Sequence, residues 1–88
     1  MRKVALTAQF EKDIKRAKKC SFDMNNLGKV IRLGPGDLED REYRDHALKG
    51  KYEGLRECHL SAEWLLIYHS SIEQVLLVRT GTHADLFR

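Results

Sequence analysis

Hydrophobic and polar positions alternate at the start of the chain. Val4 and Leu6 are interleaved with Lys3 and Ala5, which predicts a short strand. Thr7 follows as a helix N-cap, its hydroxyl able to accept an otherwise unpaired backbone N–H. Phe10, Ile14 and Ala17 then recur at helical spacing through Lys19, leaving the lysines on the outer face. Asp23 caps a second helix whose apolar stripe is Met24, Leu27, Val30 and Ile31. Gly28 within it costs a little helix stability, and Gly34-Pro35-Gly36 ends it.

The stretch 37–52 is too charged for a core element and longer than most connections. Three strands close the chain: Leu55 to Leu60, Trp64 to His69 and Gln74 to Thr80. Their polar turns are short, which favours an antiparallel meander. The order β-α-α-β-β-β predicts one α+β domain over residues 1–88, with two helices packed on one face of a four-stranded, mainly antiparallel sheet.

At 88 residues the chain is near the small end of what folds unaided, so its core must be compact. Two cysteines, Cys20 and Cys58, are too few for a disulfide framework and lack the paired spacing of a zinc site. They read as reduced thiols of a cytoplasmic protein. No apolar run approaches the length of a membrane span, and no signal peptide is evident.

Net charge is +3, but its distribution matters more than its size. Arg2, Lys3, Lys12, Lys15, Arg16, Lys18 and Lys19 crowd the first twenty residues against only Glu11 and Asp13. The balance reverses over Asp37, Glu39, Asp40, Glu42 and Asp45. A basic helix of this kind is either a solvated face or a surface for a polyanion such as RNA.

Candidate chemistry comes from the histidines. On the third strand Leu55, Glu57 and His59 share one face, while Arg56, Cys58 and Leu60 share the other. The turn at Ser61-Ala62 brings His59 toward Glu63, and the exit of the last strand can carry His83 to the same end of the sheet. His46, in the long polar stretch, can close over that cleft. No His pair has metal-ligand spacing, and no cofactor or metal is expected. Cleavage of RNA through its 2′-hydroxyl fits these residue types. It needs a base on that hydroxyl, an acid on the departing 5′-oxygen and a cation on the phosphate.

The segments DHALKG (45–50), LRECHLSAEWLLIY (55–68) and RTGTHADLF (79–87) resemble the YafQ family of the RelE superfamily, toxins of type II toxin–antitoxin pairs. The blocks stand in family order, with a looser likeness in FEKDIKRAKK and DMNNL. The resemblance implies a microbial RNase-like fold and a ribosome-dependent endoribonuclease that cuts mRNA in the decoding site and is held inactive by an antitoxin. It maps catalytic histidines onto His46, His59 and His83, and nucleotide-positioning aromatics onto Trp64 and Phe87. The family's aspartate before the tryptophan is Glu63 here, one methylene longer.

On this reading the base is Glu63, His59 or His46, and His83 is the acid. Arg79 and Arg56 are phosphate stabilisers, and the product is a 2′,3′-cyclic phosphate or its 3′-phosphate. Lys12, Lys15, Arg16, Lys18 and Lys19 would grip ribosomal RNA. The implied partners are an antitoxin, the 70S ribosome with its mRNA, and operator DNA through the antitoxin complex alone. The alternative is a catalytically silent homologue that binds the antitoxin and co-regulates transcription.

Overall fold

The computed structural model describes residues 3–20, 22–33 and 46–87. The side chains of Val30 and Ile31, the Gly34-Pro35-Gly36 stop and the acidic run 37–45 lie outside the described residues. Strand β1 (Lys3–Leu6) leads into α1 (Ala8–Lys19) and α2 (Met24–Leu33). The chain continues through β2 (His46–Ala47), a 3₁₀ turn (Gly50–Tyr52), β3 (Arg56–His59), β4 (Leu65–Ser70) and β5 (Gln74–Gly81). A short helix, α3 (His83–Phe87), ends it.

Across the sheet the order is β1-β5-β4-β3-β2. Strands β2 to β5 form the antiparallel meander, and β1 joins the far edge parallel to β5, with Lys3 opposite Gln74 and Leu6 opposite Leu77. The α+β expectation stands, with five strands among the described residues rather than four. The addition is β2, two residues long and too short for alternation to reveal.

Period-two alternation in β4 explains how the molecule is layered. Trp64, Leu66 and Tyr68 point into the core beneath α1 and α2, where they meet Phe10, Ala17, Leu27, Val75 and Leu77. Leu65 and Ile67 point to the other face, where Tyr52 and Leu86 cover them. A central strand buried on both faces reads as an unbroken apolar run, as WLLIY does. Each fully buried large side chain contributes about 1.5–3 kcal/mol by leaving water.

Thr7 ties the helical layer to the sheet. Its Oγ1 accepts from the Phe10 amide at 3.0 Å, the predicted cap, and donates to the Val78 carbonyl at 2.7 Å. Beyond Leu6 no strand among the described residues pairs with that edge of β5, and the Asp13 carboxylate accepts from the Thr80 amide there at 3.2 Å.

One irregularity sets the site. Tyr68 pairs with Leu77 but Ile67 pairs with Arg79, so Val78 is an extra residue in β5. This bulge puts two consecutive side chains, Val78 and Arg79, on the Ile67 face. Without it Arg79 would follow Val75 and Leu77 toward the helices.

Candidate active site

Register alone gathers most of the chemistry onto the sheet face away from α1 and α2. His46 pairs with Glu57, Glu57 with Ile67 and Ile67 with Arg79, one row across four strands. The next row is His59, Leu65 and Gly81. Neighbouring strands are about 4.8 Å apart, so Arg79 lies roughly 10 Å across the sheet from Glu57. That span suits a nucleotide phosphate between them.

At one side of the face, Glu57 stands between two imidazoles. Its Oε1 lies 3.4 Å from His59 Nε2 and 3.7 Å from His46 Nε2. Glu57 is only 4 % exposed. A buried carboxylate is costly without partners, and the two imidazoles supply them. Nε2 is the ring nitrogen of His59 that lies against Glu57, and an imidazole that donates through one nitrogen accepts through the other. Among the described residues, no group of three or more His, Cys, Asp or Glu side chains is arranged to hold a metal ion.

The opposite side is built by the end of the chain. Thr82 and Asp85 form a reciprocal cap: the Thr82 amide donates to Asp85 Oδ2 at 3.0 Å, and the Asp85 amide donates to Thr82 Oγ1 at 3.2 Å. The Thr82 amide, with smaller help from the Thr82 hydroxyl and Arg16, holds the Asp85 carboxyl below the usual carboxylate range against the opposing cost of burial. Arg16 Nη1 reaches Asp85 Oδ1 at 3.3 Å and joins α1 to α3.

Leu86 is buried on Ile67 and Leu65, and the Tyr52 hydroxyl donates to its carbonyl at 3.1 Å. Thus anchored, α3 presents Phe87, 38 % exposed, edge-on to Tyr52 at 5.6 Å. The exposed His83 ring lies 4.8 Å from Phe87. The terminal phenylalanine is therefore held in place and also presented to solvent.

Arg79 completes this side. Asp13 accepts from its Nε and Nη2, both at 3.0 Å. The Asp13 bond raises the guanidinium pKa further above its ordinary value, outweighing the opposing effect of burial, and Tyr52 adds to it.

The other expected site residues have varied surroundings. Glu63 is exposed in the β3–β4 turn, close in the chain to His59, and makes no hydrogen bond or ion pair with a described residue, whereas the buried Glu57 stands between His59 and His46. Trp64 has no exposed surface and stacks on Phe22 with ring centroids 5.1 Å apart, so it cannot stack on a nucleotide base. It is a core residue, driven inward by the parity of β4. Arg56 pairs with Tyr68 and Ala47, which puts it on the face opposite Glu57 and His59. Lys12, Lys15, Lys18, Lys19 and Arg16 are all exposed on α1. Lys12, Lys15 and Lys19 form a row opposite the buried Phe10 and Ala17, whereas Arg16 is turned to Asp85.

Sequence reasoning missed Glu57 as a member of the site. Its signal was present in the alternation that put it beside His59 on one face. It also missed Tyr52, whose packing on α3 depends on contacts remote in sequence.

Comparison with known proteins gives the family. Residues 2–88 match the family described as the bacterial toxin of type II toxin–antitoxin systems, YafQ. The mRNA interferase toxin YafQ of Escherichia coli is 36 % identical over 88 residues, covering 98 % of this chain and 96 % of that protein. A crystal structure of an E. coli YafQ point mutant superposes with a TM-score of 0.89 at 35 % identity, covering all of both chains. YafQ in the E. coli DinJ–YafQ complex gives 0.86 at 36 % identity, again over both full lengths. Fold, site-bearing motifs and full-length likeness agree, and the chain belongs to the YafQ family of type II toxin–antitoxin toxins.

Proposed function

We propose that this chain is an mRNA interferase, a ribosome-dependent endoribonuclease that cuts mRNA in the decoding site and is silenced by a cognate antitoxin. The observation that carries the reading is the paired arrangement on one sheet face. The Glu57-backed histidines lie on one side, with Arg79, His83 and Phe87 on the other.

In the proposed reaction His59 Nδ1 takes the proton of the 2′-hydroxyl. Glu57 holds the ring and stabilises the imidazolium that forms, with His46 on the carboxylate's other side. The 2′-oxygen attacks phosphorus, the P–O5′ bond breaks, and His83 donates its proton to the departing oxygen. Arg79 stabilises the crowded phosphorane through the guanidinium edge that Asp13 leaves open. Phe87, braced by Tyr52, stacks on a base. The product is a 2′,3′-cyclic phosphate or, after hydrolysis, a 3′-phosphate.

Outside the cleft, Lys12, Lys15 and Lys19 contact ribosomal RNA phosphates, with Lys18 and Arg16 at the flanks. An acidic antitoxin would cover the same surfaces, and operator DNA would be reached only through that complex. No helix among the described residues is long and apolar enough to cross a membrane.

The rival reading, a silent antitoxin-binding co-regulator, drew its support from the longer carboxylate at position 63. The buried Glu57 gives the histidines a carboxylate of their own, which supports cleavage whatever the length of the side chain at 63. Primer extension on a defined mRNA, with purified protein and programmed ribosomes, tests the proposal. Breaks in the decoding site that need ribosomes and vanish in His83→Ala are expected. Intact mRNA in the presence of folded, antitoxin-free protein would overturn it.

A further inference from the structure

Asp13 lies on the core-facing side of α1, yet its carboxylate serves β5. Each oxygen accepts twice: Oδ1 from Gln9 Nε2 at 3.1 Å and Arg79 Nη2 at 3.0 Å, Oδ2 from Arg79 Nε at 3.0 Å and the Thr80 amide at 3.2 Å. The side chain is 5 % exposed. A guanidinium carries five N–H groups in a rigid plane, and this side-on pairing consumes the Nε edge alone. The remaining N–H groups are not all idle, for the Tyr52 hydroxyl, which donates to the Leu86 carbonyl, takes a hydrogen bond from the guanidinium and so braces it from the α3 side.

Stability alone is a weak explanation of the arrangement. Replacing a buried ion pair with well-packed apolar side chains is commonly neutral or stabilising, so such a pair is weak evidence of a stabilising role. Nor does charge state explain it, because arginine is protonated at any working pH with or without Asp13. Direction is what the pair fixes. The bulge at Val78 brings Arg79 to the site face, and Asp13, reaching round the bare edge of β5, then sets the plane of its guanidinium.

Building on the endoribonuclease reading, we propose that Asp13 is a positioning residue for RNA cleavage. It clamps Arg79 side-on so that the opposite guanidinium edge faces the Tyr52–Phe87–His83 side of the cleft, where the non-bridging oxygens of the scissile phosphate bind. Asp13 never touches RNA. It acts through Arg79, and it costs the site one negative charge near the phosphate in exchange for a fixed donor geometry.

The test measures single-turnover cleavage of mRNA on programmed ribosomes by wild type, Asp13→Asn, Asp13→Glu, Arg79→Lys and the Asp13→Asn/Arg79→Lys double variant. Misplaced donors cost rate more than binding, so Asp13→Asn should cut about tenfold or more slowly with half-saturation changed less than about twofold. Asp13→Glu, which keeps the charge but shifts the carboxylate, should fall between. The double variant should be no slower than Arg79→Lys alone, because a residue acting only through Arg79 has nothing further to lose. Nitrogen-15 NMR should show a slowly exchanging Arg79 Nε–H in wild type that exchanges fast in Asp13→Asn while the backbone amide spectrum persists.

A folded Asp13→Asn that cuts as fast as wild type or faster overturns the proposal, the second outcome marking Asp13 as a competitor of the phosphate. Multiplicative loss in the double variant, or unfolding of both Asp13 variants, would overturn it in favour of a purely structural role. Failure of wild type to cut at all would instead refute the endoribonuclease reading.

Discussion

Glu57 and Glu63 are six residues apart, and their surroundings could hardly differ more. Glu57 is enclosed with two imidazoles against its carboxylate, while Glu63 projects from a turn into water. Proton transfer by a positioned group is worth about 10²- to 10⁴-fold, and under the proposed mechanism His59 depends on Glu57 for its position and charge, so Glu57→Gln should slow cleavage by about a hundredfold. Glu63→Gln should leave the rate within about threefold. Equal losses in a single-turnover assay would put Glu63 back in the site. Trp64 offers a second contrast. Its ring is buried against Phe22, and its Nε1 is buried without a hydrogen-bond partner in the described structure. Trp64→Phe therefore forfeits no hydrogen bond, and cleavage should survive while Tm falls. Trp64→Ala should cost about 3–5 kcal/mol through the cavity it leaves. A loss of RNA affinity in Trp64→Phe at unchanged Tm would contradict the core assignment.

At the scale of elements, α3 is five residues long and exists only because both its ends are tied. Leu86 fastens one end to the sheet, and the Thr82–Asp85 cap fastens the other. Asp85→Asn keeps an acceptor oxygen but loses the charge of the capping carboxylate, and should cost about 0.5 kcal/mol, a Tm loss of roughly 2–4 °C. The pH dependence has a definite sign. Because the folded state holds Asp85 below its unfolded value, its contribution is full above the ordinary carboxylate range and lost as pH falls through the folded value. Wild type and Asp85→Asn should therefore differ in Tm at pH 7 and converge in strong acid. Gly81→Ala attacks the same joint, since a Cβ there would stand 3.1 Å from Asp85 Cβ and 3.2 Å from Oδ2. His83 should be displaced with α3, and cleavage should fall more than Tm does. Legibility divides along the same lines. Both long helices and the three long strands announced themselves through periodicity, as did the Thr7 cap. The Val78 bulge did not, because it depends on pairing with β4, and Arg79 gains its face only through it. Likewise β2 is defined by its partner, for His46 pairs with Glu57 through a ladder two residues long.

Over the whole molecule, α1 joins two functions that its sequence pattern shows unequally. Its inward face packs Phe10 and Ala17 into the core and aims Asp13 at β5, while its outward face displays Lys12, Lys15 and Lys19. The outward row was legible because like charges at helical spacing need no tertiary information. The Asp13–Arg79 bond was not, since the two residues are 66 positions apart. A net charge of +3 is too small for bulk attraction to RNA, so under the proposed function the local density on α1 carries the attraction. That can be checked against ionic strength. Each phosphate contact adds about 0.7–0.9 to the slope of log affinity against log salt, so changing Lys12, Lys15 and Lys19 together to Gln should flatten the slope for ribosome binding by about 2 to 3. All three side chains are exposed, so each change should move stability by no more than about 0.5 kcal/mol. An unchanged slope in a folded triple variant would mean that this row faces solvent on the ribosome, and the docking surface would have to be sought on another face.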